Sequence, residues 1–393
     1  MQALGIYVQV PFCSTKCSFC NFSSRVERAS ALDAYCRALG EEIARLPSLY
    51  EACGVAGRLL DLPADTLYFG GGTPSLLGVE RLREIVSALE RRVQFRRSVE
   101  FTLEVTPGLR DAGFLGAMRL LGVNRLSIGA QSFDDRELRA VGRLHSASAT
   151  EELVCEARRV GFQDISLDLI AGLPHQTPAS WLNSLRAAVK LEPEHLSLYL
   201  FEIDEKSRLG REVLEDGRRY HAQEVLGDDF MADAYEAGRA FLEQEGYAQY
   251  EISNFARRGS ESRHNLKYWR LEPYVGLGAG AHSFDGACRW SNVEGPQVYE
   301  RQLALNLSPI SEIRALSPDE ELEEFLFLGL RQRQGVDLTV AGQRWGKDLL
   351  GRWEAKMEVL AKEGWLERAG TTFRLTDRAL LVSNEIFQEF VTV

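Results

Sequence analysis

The chain has 393 residues and a formal net charge of −11, from 46 lysine plus arginine residues against 57 aspartate plus glutamate residues, and this acidic surplus makes nucleic acid a poor partner. Hydrophobic residues make up 45% and charged residues 26% of the chain, which is the balance of a folded globular protein and excludes disordered and collagen-like chains. No segment is apolar enough to span a membrane and no secretory signal pattern is present, so we expect a cytoplasmic protein without a membrane span.

Short apolar segments alternate with segments of helical periodicity along the first half of the chain. Strand, helix and strand at this spacing predict right-handed βαβ units with a parallel sheet. We therefore predict an α/β fold with an incomplete (β/α)6 barrel, in which chemistry is expected where strands end and loops begin. The predicted strands lie at residues 5–10, 66–69, 99–105, 124–129, 164–170 and 195–201. The predicted helices lie at residues 30–47, 78–91, 111–121, 147–160 and 179–190.

The pattern changes after residue 204. A charged stretch precedes a predicted helix at about 222–245, and a region rich in glycine and aromatic residues follows from Tyr247 to Phe284. A new helix is predicted from about residue 311, followed by a second helix, a hairpin and a final helix, which together resemble a small winged-helix domain. The expected domains are a partial barrel at 1–204, an extension at 205–305 and a C-terminal winged-helix-like domain at 306–393.

Three of the seven cysteines, Cys13, Cys17 and Cys20, fall within eight residues directly after the first predicted strand. Three thiolates at this spacing suit a 4Fe-4S cluster whose fourth iron remains open to a ligand. The alternative is a zinc site, which prefers four ligands, and no nearby histidine or cysteine completes such a set. An odd cysteine count at low density indicates a reducing compartment. The remaining cysteines are expected to pack as small apolar residues: Cys36, Cys53, Cys155 and Cys288.

A glycine run follows the second predicted strand and contains Gly71, Gly72 and Thr73. Glycines allow the backbone to approach a ligand closely, and exposed backbone N–H groups can hold a carboxylate. No Gly-Lys-Ser or Gly-Lys-Thr follows the run, so it is not a nucleotide-binding P-loop. A plain tight turn is the alternative interpretation.

Polar residues stand near the ends of the next three predicted strands. Glu104 ends the third strand, Gln131 follows the fourth, Arg143 lies shortly after it, and Asp168 is in the fifth. Such groups are costly to bury unless they have a partner, so they are candidates for ligand binding. The alternative is that each caps a helix or bonds to a loop.

The cysteine spacing and the glycine run resemble the radical S-adenosylmethionine (SAM) superfamily. This resemblance implies a 4Fe-4S cluster on Cys13, Cys17 and Cys20, with SAM bound to the fourth iron through its amino and carboxylate groups. One departure is Gln9, where the related motif usually carries histidine. The resemblance implies cofactor contacts by Tyr7, Phe19, Gly71, Gly72, Thr73, Glu104, Gln131, Arg143 and Asp168.

Four segments, at 122–133, 141–146, 167–177 and 194–199, resemble the oxygen-independent coproporphyrinogen III oxidase group. The dehydrogenases of that group carry a further cysteine two residues after the last cluster cysteine and a longer N-terminal extension. Phe22 occupies that position here, and twelve residues precede Cys13. Three further segments resemble the HemW-type haem chaperones, and the likeness runs over nearly the whole chain: YEISNF at 250–255, HNLKYW at 264–269 and GAGAHS at 278–283.

The HNLKYW segment is the predicted haem site. Imidazole is the commonest haem iron ligand and adjacent aromatic rings offer an apolar face, so we expect His264 to contact haem. Lys267 would add a weak pair with a propionate. The alternative is that His264 anchors a loop while Tyr268 and Trp269 fill the core. His282 is the second candidate ligand.

The resemblance therefore predicts a haem chaperone that carries a 4Fe-4S cluster and SAM, binds haem and delivers it to apo-haemoproteins. Whether it is also an enzyme that cleaves SAM stays open, and no catalytic residue is assigned. The second hypothesis is a coproporphyrinogen III dehydrogenase, which removes propionate carboxyl groups oxidatively. The third is a zinc-stabilised binding protein. The sequence does not distinguish a monomer from a homodimer.

Overall fold

The computed structural model describes residues 2–52, 54, 57–108 and 111–392. Six parallel strands and the helices between them form its first part, and the six predicted strands and five predicted helices are confirmed. The strands are β1 Leu4–Val10, β2 Ala64–Gly71, β3 Phe95–Val105, β4 Arg125–Gln131, β5 Asp164–Ala171 and β6 His195–Leu200. The helices are α1 Ala29–Ala52, α2 Gly78–Glu90, α3 Ala112–Leu120, α4 Asp135–Ala140, α5 Ala147–Arg159 and α6 Pro178–Lys190.

The strands β1 to β6 lie side by side in chain order, each parallel to the next, in a sheet that stays open as predicted for an incomplete barrel. Side chains alternate between the two faces of a strand. In β4, Leu126, Ile128 and Ala130 are fully buried in the core beneath the helices. The residues between them face the opposite side, where the candidate site lies.

The chain then adds strands to both edges of this sheet. Further helices lie at α7 Arg208–Leu214, α8 Asp228–Gln244, α9 Arg263–Trp269 and α10 Pro296–Ala304. The added strands are β7 Ala248–Gln249, β8 Asn254–Ala256, β9 Tyr274–Leu277, β10 His282–Phe284, β11 Cys288–Asn292 and β12 Ile310–Ala315. The complete order is β12-β11-β10-β9-β1-β2-β3-β4-β5-β6-β8-β7, and β9 runs parallel to β1.

The predicted helix start near residue 311 is wrong. Residues Ile310–Ala315 form β12, which pairs antiparallel with β11. Cross-strand pairing therefore overrides the helical pattern of this segment. The next helix, α11 Pro318–Leu330, begins after Ser317, whose side chain and that of Glu320 form a reciprocal capping box.

The C-terminal part has its own apolar core, which contains Trp353, Phe373 and Phe390. A three-stranded sheet, in which the last strand lies between the other two, packs with the helices. The predicted hairpin and final helix are present, but three helices and a short strand precede the hairpin where the sequence predicts two helices. The predicted domain boundaries at 204 and 305 stay predictions. The elements are β13 Val336–Asp337, α12 Leu338–Trp345, α13 Lys347–Lys362, β14 Leu366–Ala369, β15 Thr372–Leu375 and α14 Ser383–Gln388.

The scattered cysteines differ in their surroundings. Cys36 is buried in the core as predicted, whereas Cys155 is exposed on α5 and Cys288 is half-buried. Cys53 lies outside the described residues. In the part of the chain that the structure describes, we find no helix with the length and apolar character needed to cross a membrane.

Candidate functional site

A pocket of about 490 Å³ opens at the carboxyl ends of the parallel strands. Parallel strands place their carboxyl ends at one edge of a sheet, so residues far apart in the sequence meet there. Tyr7 and His264 do not line it. The pocket brings together eleven of the thirteen predicted site residues: Cys13, Cys17, Phe19, Cys20, Gly71, Gly72, Thr73, Glu104, Gln131, Arg143 and Asp168.

The loop that carries the three cysteines is anchored by backbone hydrogen bonds to three other parts of the chain. The amide of Thr73 donates to the carbonyl of Phe12 at 2.7 Å, and the amide of Ser18 donates to the carbonyl of Val141 at 3.0 Å. The amide of Leu209 donates to the carbonyl of Ser18 at 2.8 Å. These contacts hold the loop against the pocket.

The three thiols that the sequence predicts as cluster ligands lie near one another in the wall of the pocket. Burial raises the pKa of Cys20, and the nearby thiols of Cys13 and Cys17 add to this increase. The Nη1 of Arg143 lies 3.7 Å from the Sγ of Cys17, while its Nη2 donates to the carbonyl of Gly129 at 2.6 Å. A fixed guanidinium therefore stands beside the place where thiolate charge would collect.

The zinc alternative requires a closed set of ligands around one ion. Across residues 2–52, 54, 57–108 and 111–392, no three His, Cys, Asp or Glu side chains converge as the ligands of a single metal ion would. The three cysteines instead share the wall of a pocket with polar strand-end residues. That arrangement leaves room for a ligand beside the sulfurs.

The glycine run makes a close approach to the cysteine loop. A Cβ atom on Gly72 would lie 2.4 Å from the carbonyl oxygen of Phe12 and 3.0 Å from the Sγ of Cys13. Gly71 has a φ of 109°, and a Cβ there would lie 2.8 Å from the side-chain amide of Gln9. The glycines are thus needed for contact with the protein's own chain, whereas the sequence suggested only an approach to a ligand.

Glu104 is a buried carboxyl group that lines the pocket and has two hydrogen-bond donors. Its two oxygens accept hydrogen bonds from the Oη of Tyr68 at 3.0 Å and from the amide of Gly71 at 3.1 Å. Burial, followed by the nearby charge of Asp168, raises the pKa of Glu104 to about 8. Burial also raises the pKa of Asp168, and a hydrogen bond from Ser197 is the largest of the effects that lower it. A bound cation would favour the ionised form of Glu104.

We therefore expect the affinity of the reconstituted protein for SAM, which carries a positively charged sulfonium group, to rise between pH 6.0 and 7.5. Because the pKa of Glu104 lies near 8 in the empty pocket, the carboxyl must release a proton to pair with a cation, and affinity should increase by up to about tenfold per pH unit. Calorimetric titration at several pH values measures this slope. Glu104→Gln is the control, since it retains any titration of SAM itself; an equal slope in both proteins would contradict the prediction.

Polar residues form the floor of the pocket, and they are not among the site residues predicted from the sequence. Alternate residues of β4, β5 and β6 point into it, so each strand has an apolar outer face and a polar inner face. The alternation is visible in the sequences RLSIGAQ, SLDLI and HLSLY, although their apolar residues alone predict the strands. The missed residues are Arg125, Ser127, Ser166, His195 and Ser197.

His264 lies in a closed hydrogen-bond network away from the cysteines. Its Nδ1 is 2.8 Å from the Oγ1 of Thr66, and its Nε2 is 2.8 Å from the Oη of Tyr268. The carboxylate of Glu100 accepts from the backbone amides of Arg263 and His264 and so holds the start of α9. Burial lowers the pKa of His264 to about 3, which keeps the imidazole neutral.

This network closes the opposite end of the strands from the cysteine loop. Thr66 precedes Gly71 by five residues in β2, which corresponds to roughly 17 Å along the strand. Lys267, predicted to face a propionate, is buried and pairs with Asp65 at 2.8 Å and with Glu272 at 3.1 Å. Haem ligation by His264 would require one of its two ring hydrogen bonds to break, and it stays a prediction.

Tyr7 and His282, two further residues predicted from the sequence, do not line the pocket either. Tyr7 stacks on Tyr68 with ring centroids 5.9 Å apart, and its Oη donates to the Oε1 of Gln9 at 2.7 Å. Gln9 thus takes part in a hydrogen bond in the place where related motifs carry histidine. His282 begins β10 with an exposed side chain, so solvent reaches this imidazole without rearrangement.

Two family profiles match the chain. The radical SAM superfamily matches residues 7–188, and the HemN C-terminal domain matches residues 316–382. Together they include the cysteine loop, β1 to β5 and most of the C-terminal part. The expected superfamily and its 4Fe-4S and SAM chemistry therefore agree with the fold and the pocket.

Curated relatives match over almost the full length. The chain is 32% identical to heme chaperone HemW of Bacillus subtilis, over 98% of both chains. It is 33% identical to radical S-adenosyl methionine domain-containing protein 1, mitochondrial, of Bos taurus, over 88% of this chain and 76% of the relative. The solved coproporphyrinogen III oxidase (HemN) of Escherichia coli has a TM-score of 0.86 and 25% identity, covering 100% of this chain and 90% of that one. The chain belongs to the HemW family of the radical SAM superfamily.

Proposed function

We propose that this protein is a haem chaperone, which binds haem and delivers it to apo-haemoproteins. The full-length likeness to proteins named heme chaperone HemW carries the proposal. We also propose that it works in the reducing cytoplasm. The unpaired state of every described cysteine supports this location.

The residues of the pocket supply binding and orientation. Cys13, Cys17 and Cys20 would hold a 4Fe-4S cluster, which when bound can supply an electron to SAM. Arg143 would balance thiolate charge from its position near Cys17. Glu104 would accept a hydrogen bond from the amino group of SAM. The strand-lined pocket would limit the access of water to these groups.

A coproporphyrinogen III dehydrogenase is the second candidate function. The overall likeness to the oxidase of Escherichia coli favours it, because the two folds match over the whole of this chain. Phe22, at the position where the dehydrogenases carry an additional cysteine, argues against it.

One experiment separates these functions. Anaerobically reconstituted protein is incubated with SAM, a reductant and coproporphyrinogen III, and a haemin titration is run on the same preparation. We expect stoichiometric haem uptake, transfer to an apo-haemoprotein and no product with vinyl groups in place of two propionates. Formation of that product would establish the dehydrogenase, and absence of both haem uptake and product would contradict both proposals.

We expect His264→Ala to lower the free energy of unfolding by about 1–3 kcal/mol, because Thr66 and Tyr268 would lose their buried partner. Chemical denaturation measures this effect, and haemin titration of the same variant tests ligation. His282→Ala is the comparison, since its side chain is exposed. A large loss of haem affinity in His264→Ala with unchanged stability would contradict the structural role and support ligation by His264.

A further inference from the structure

We infer that haem docks on an apolar rim at the mouth of the pocket, formed by Phe22 and Leu144, with Lys16 beside it. This inference rests on the proposed function and gives it a location. Haem would lie with one apolar face on the two side chains and with a propionate toward the ammonium group. The rim would thus hold haem next to the cysteine loop, across the opening of the SAM pocket.

The two rim side chains are unusually exposed for large apolar residues. Phe22 is 64% and Leu144 is 75% accessible, and both line the pocket. They come from separate parts of the chain, since Phe22 follows the last cluster cysteine and Leu144 follows Arg143. Covering each of them with an apolar ligand would be favourable, because exposed apolar area costs about 25 cal/mol per Å².

The charges at the rim suit a flat apolar ligand with acidic groups on its edge. The Nζ of Lys16 lies 3.2 Å from the carbonyl oxygen of Phe22, which places a cation beside the exposed ring. The guanidinium of Arg208 donates to the carbonyl of Lys16 and adds a second positive charge nearby. In a chain with a net charge of −11, these cations complement the two propionates of haem.

The interior of the pocket makes the rim the better place for the macrocycle. Glu104, Asp168 and Arg125 line the inside, and covering these charged groups with an apolar ring would remove them from solvent, which is costly. A protein partner is a poorer fit for the rim alone, because two side chains expose far less than the roughly 800 Å² per partner of a standard interface. Haem offers the apolar face and the acidic edge together.

The test compares haem binding by a rim variant and a matched surface variant. Phe22→Ser with Leu144→Ser removes the rim, and Leu120→Ser removes a leucine that is 92% accessible at the end of α3. Haemin is titrated into each anaerobically reconstituted protein. We expect at least tenfold weaker binding in the rim variant, wild-type binding in Leu120→Ser, and equal iron content in all three.

The outcomes separate this inference from the proposed function. Absence of haem binding by the wild-type protein would overturn the chaperone proposal. Wild-type haem affinity in the rim variant, with haem bound by all proteins, would overturn the rim alone. If Phe22→Ser disturbs the cysteine loop and lowers iron content, Leu144→Ser by itself decides the question, because Leu144 lies outside that loop. A variant that binds haem normally but fails to transfer it would assign the rim to the recipient protein and overturn the docking site.

Discussion

Replacing Cys17 by serine is expected to abolish assembly of the 4Fe-4S cluster while the fold remains. Cys17 is 8% accessible, and its Sγ faces the guanidinium of Arg143. A serine hydroxyl stays protonated and is a poor ligand for iron that thiolates normally hold. Two thiols would remain at a site that needs three. Iron and sulfide analysis after anaerobic reconstitution, with the visible absorption spectrum, measures the loss.

The exposed Cys155 on α5 provides the matched control. Cys155 is far in sequence from the cluster loop. The Cys155→Ser variant also loses one thiol, and it should retain the wild-type iron content. Chemical denaturation of both variants should give nearly equal free energies of unfolding. Retention of wild-type iron and sulfide by Cys17→Ser would contradict the assignment. Cys36 is a poor substitute ligand, because burial raises the pKa of its thiol to about 12.

The positions of the site residues could be predicted because the order of a parallel sheet is simple. Each βαβ unit returns the chain to the same edge, so the cysteine loop after β1 and Glu104 at the end of β3 had to approach each other. The sequence did not indicate which parts of the loop touch which strand end. The bond between Gly71 and Glu104 depends on the register of β2 and β3 and on the rotation of one side chain.

The environment of His264 could not be predicted from local sequence. Its partner Thr66 is 198 residues away, and the pairing depends on α9 closing the end of the sheet. An imidazole beside aromatic residues suits a haem ligand and a core residue equally well when only the sequence is known. Burial and the occupation of both ring nitrogens distinguish the two environments, and both are tertiary properties.

The secondary structure of β12 also depends on tertiary contacts and could not be predicted from the local sequence. Residues Ile310–Ala315 carry no strong strand pattern, yet an unpaired edge of β11 is available to them. Backbone groups at an open edge favour any segment that can pair with them. The polar floor of the pocket, in contrast to β12, could have been predicted from the sequence. Polar residues alternate with apolar ones in β4, β5 and β6, so each of these strands has one polar face.

Gly72→Ala should displace the cysteine loop and lower cluster content by more than half. The added Cβ would lie 2.4 Å from the carbonyl oxygen of Phe12, a backbone atom that cannot rotate away. The neighbouring bond from the amide of Thr73 to the same carbonyl would have to lengthen or break. Overpacking of this kind typically costs about 1–3 kcal/mol. Denaturation and iron analysis of the reconstituted variant measure the two effects.

Gly116→Ala is the matched control, because a Cβ at Gly116 in α3 would meet nothing within 4 Å. Alanine favours a helix over glycine by about 0.8–1.0 kcal/mol, so this variant should be slightly more stable than the wild type with the same iron content. The same chemical change is thus expected to act in opposite directions at the two positions. Equal iron content in Gly72→Ala and Gly116→Ala would mean that the loop can yield without losing its ligand geometry. The glycine at position 72 would then serve SAM or the turn itself, and its contact with Phe12 would not position Cys13.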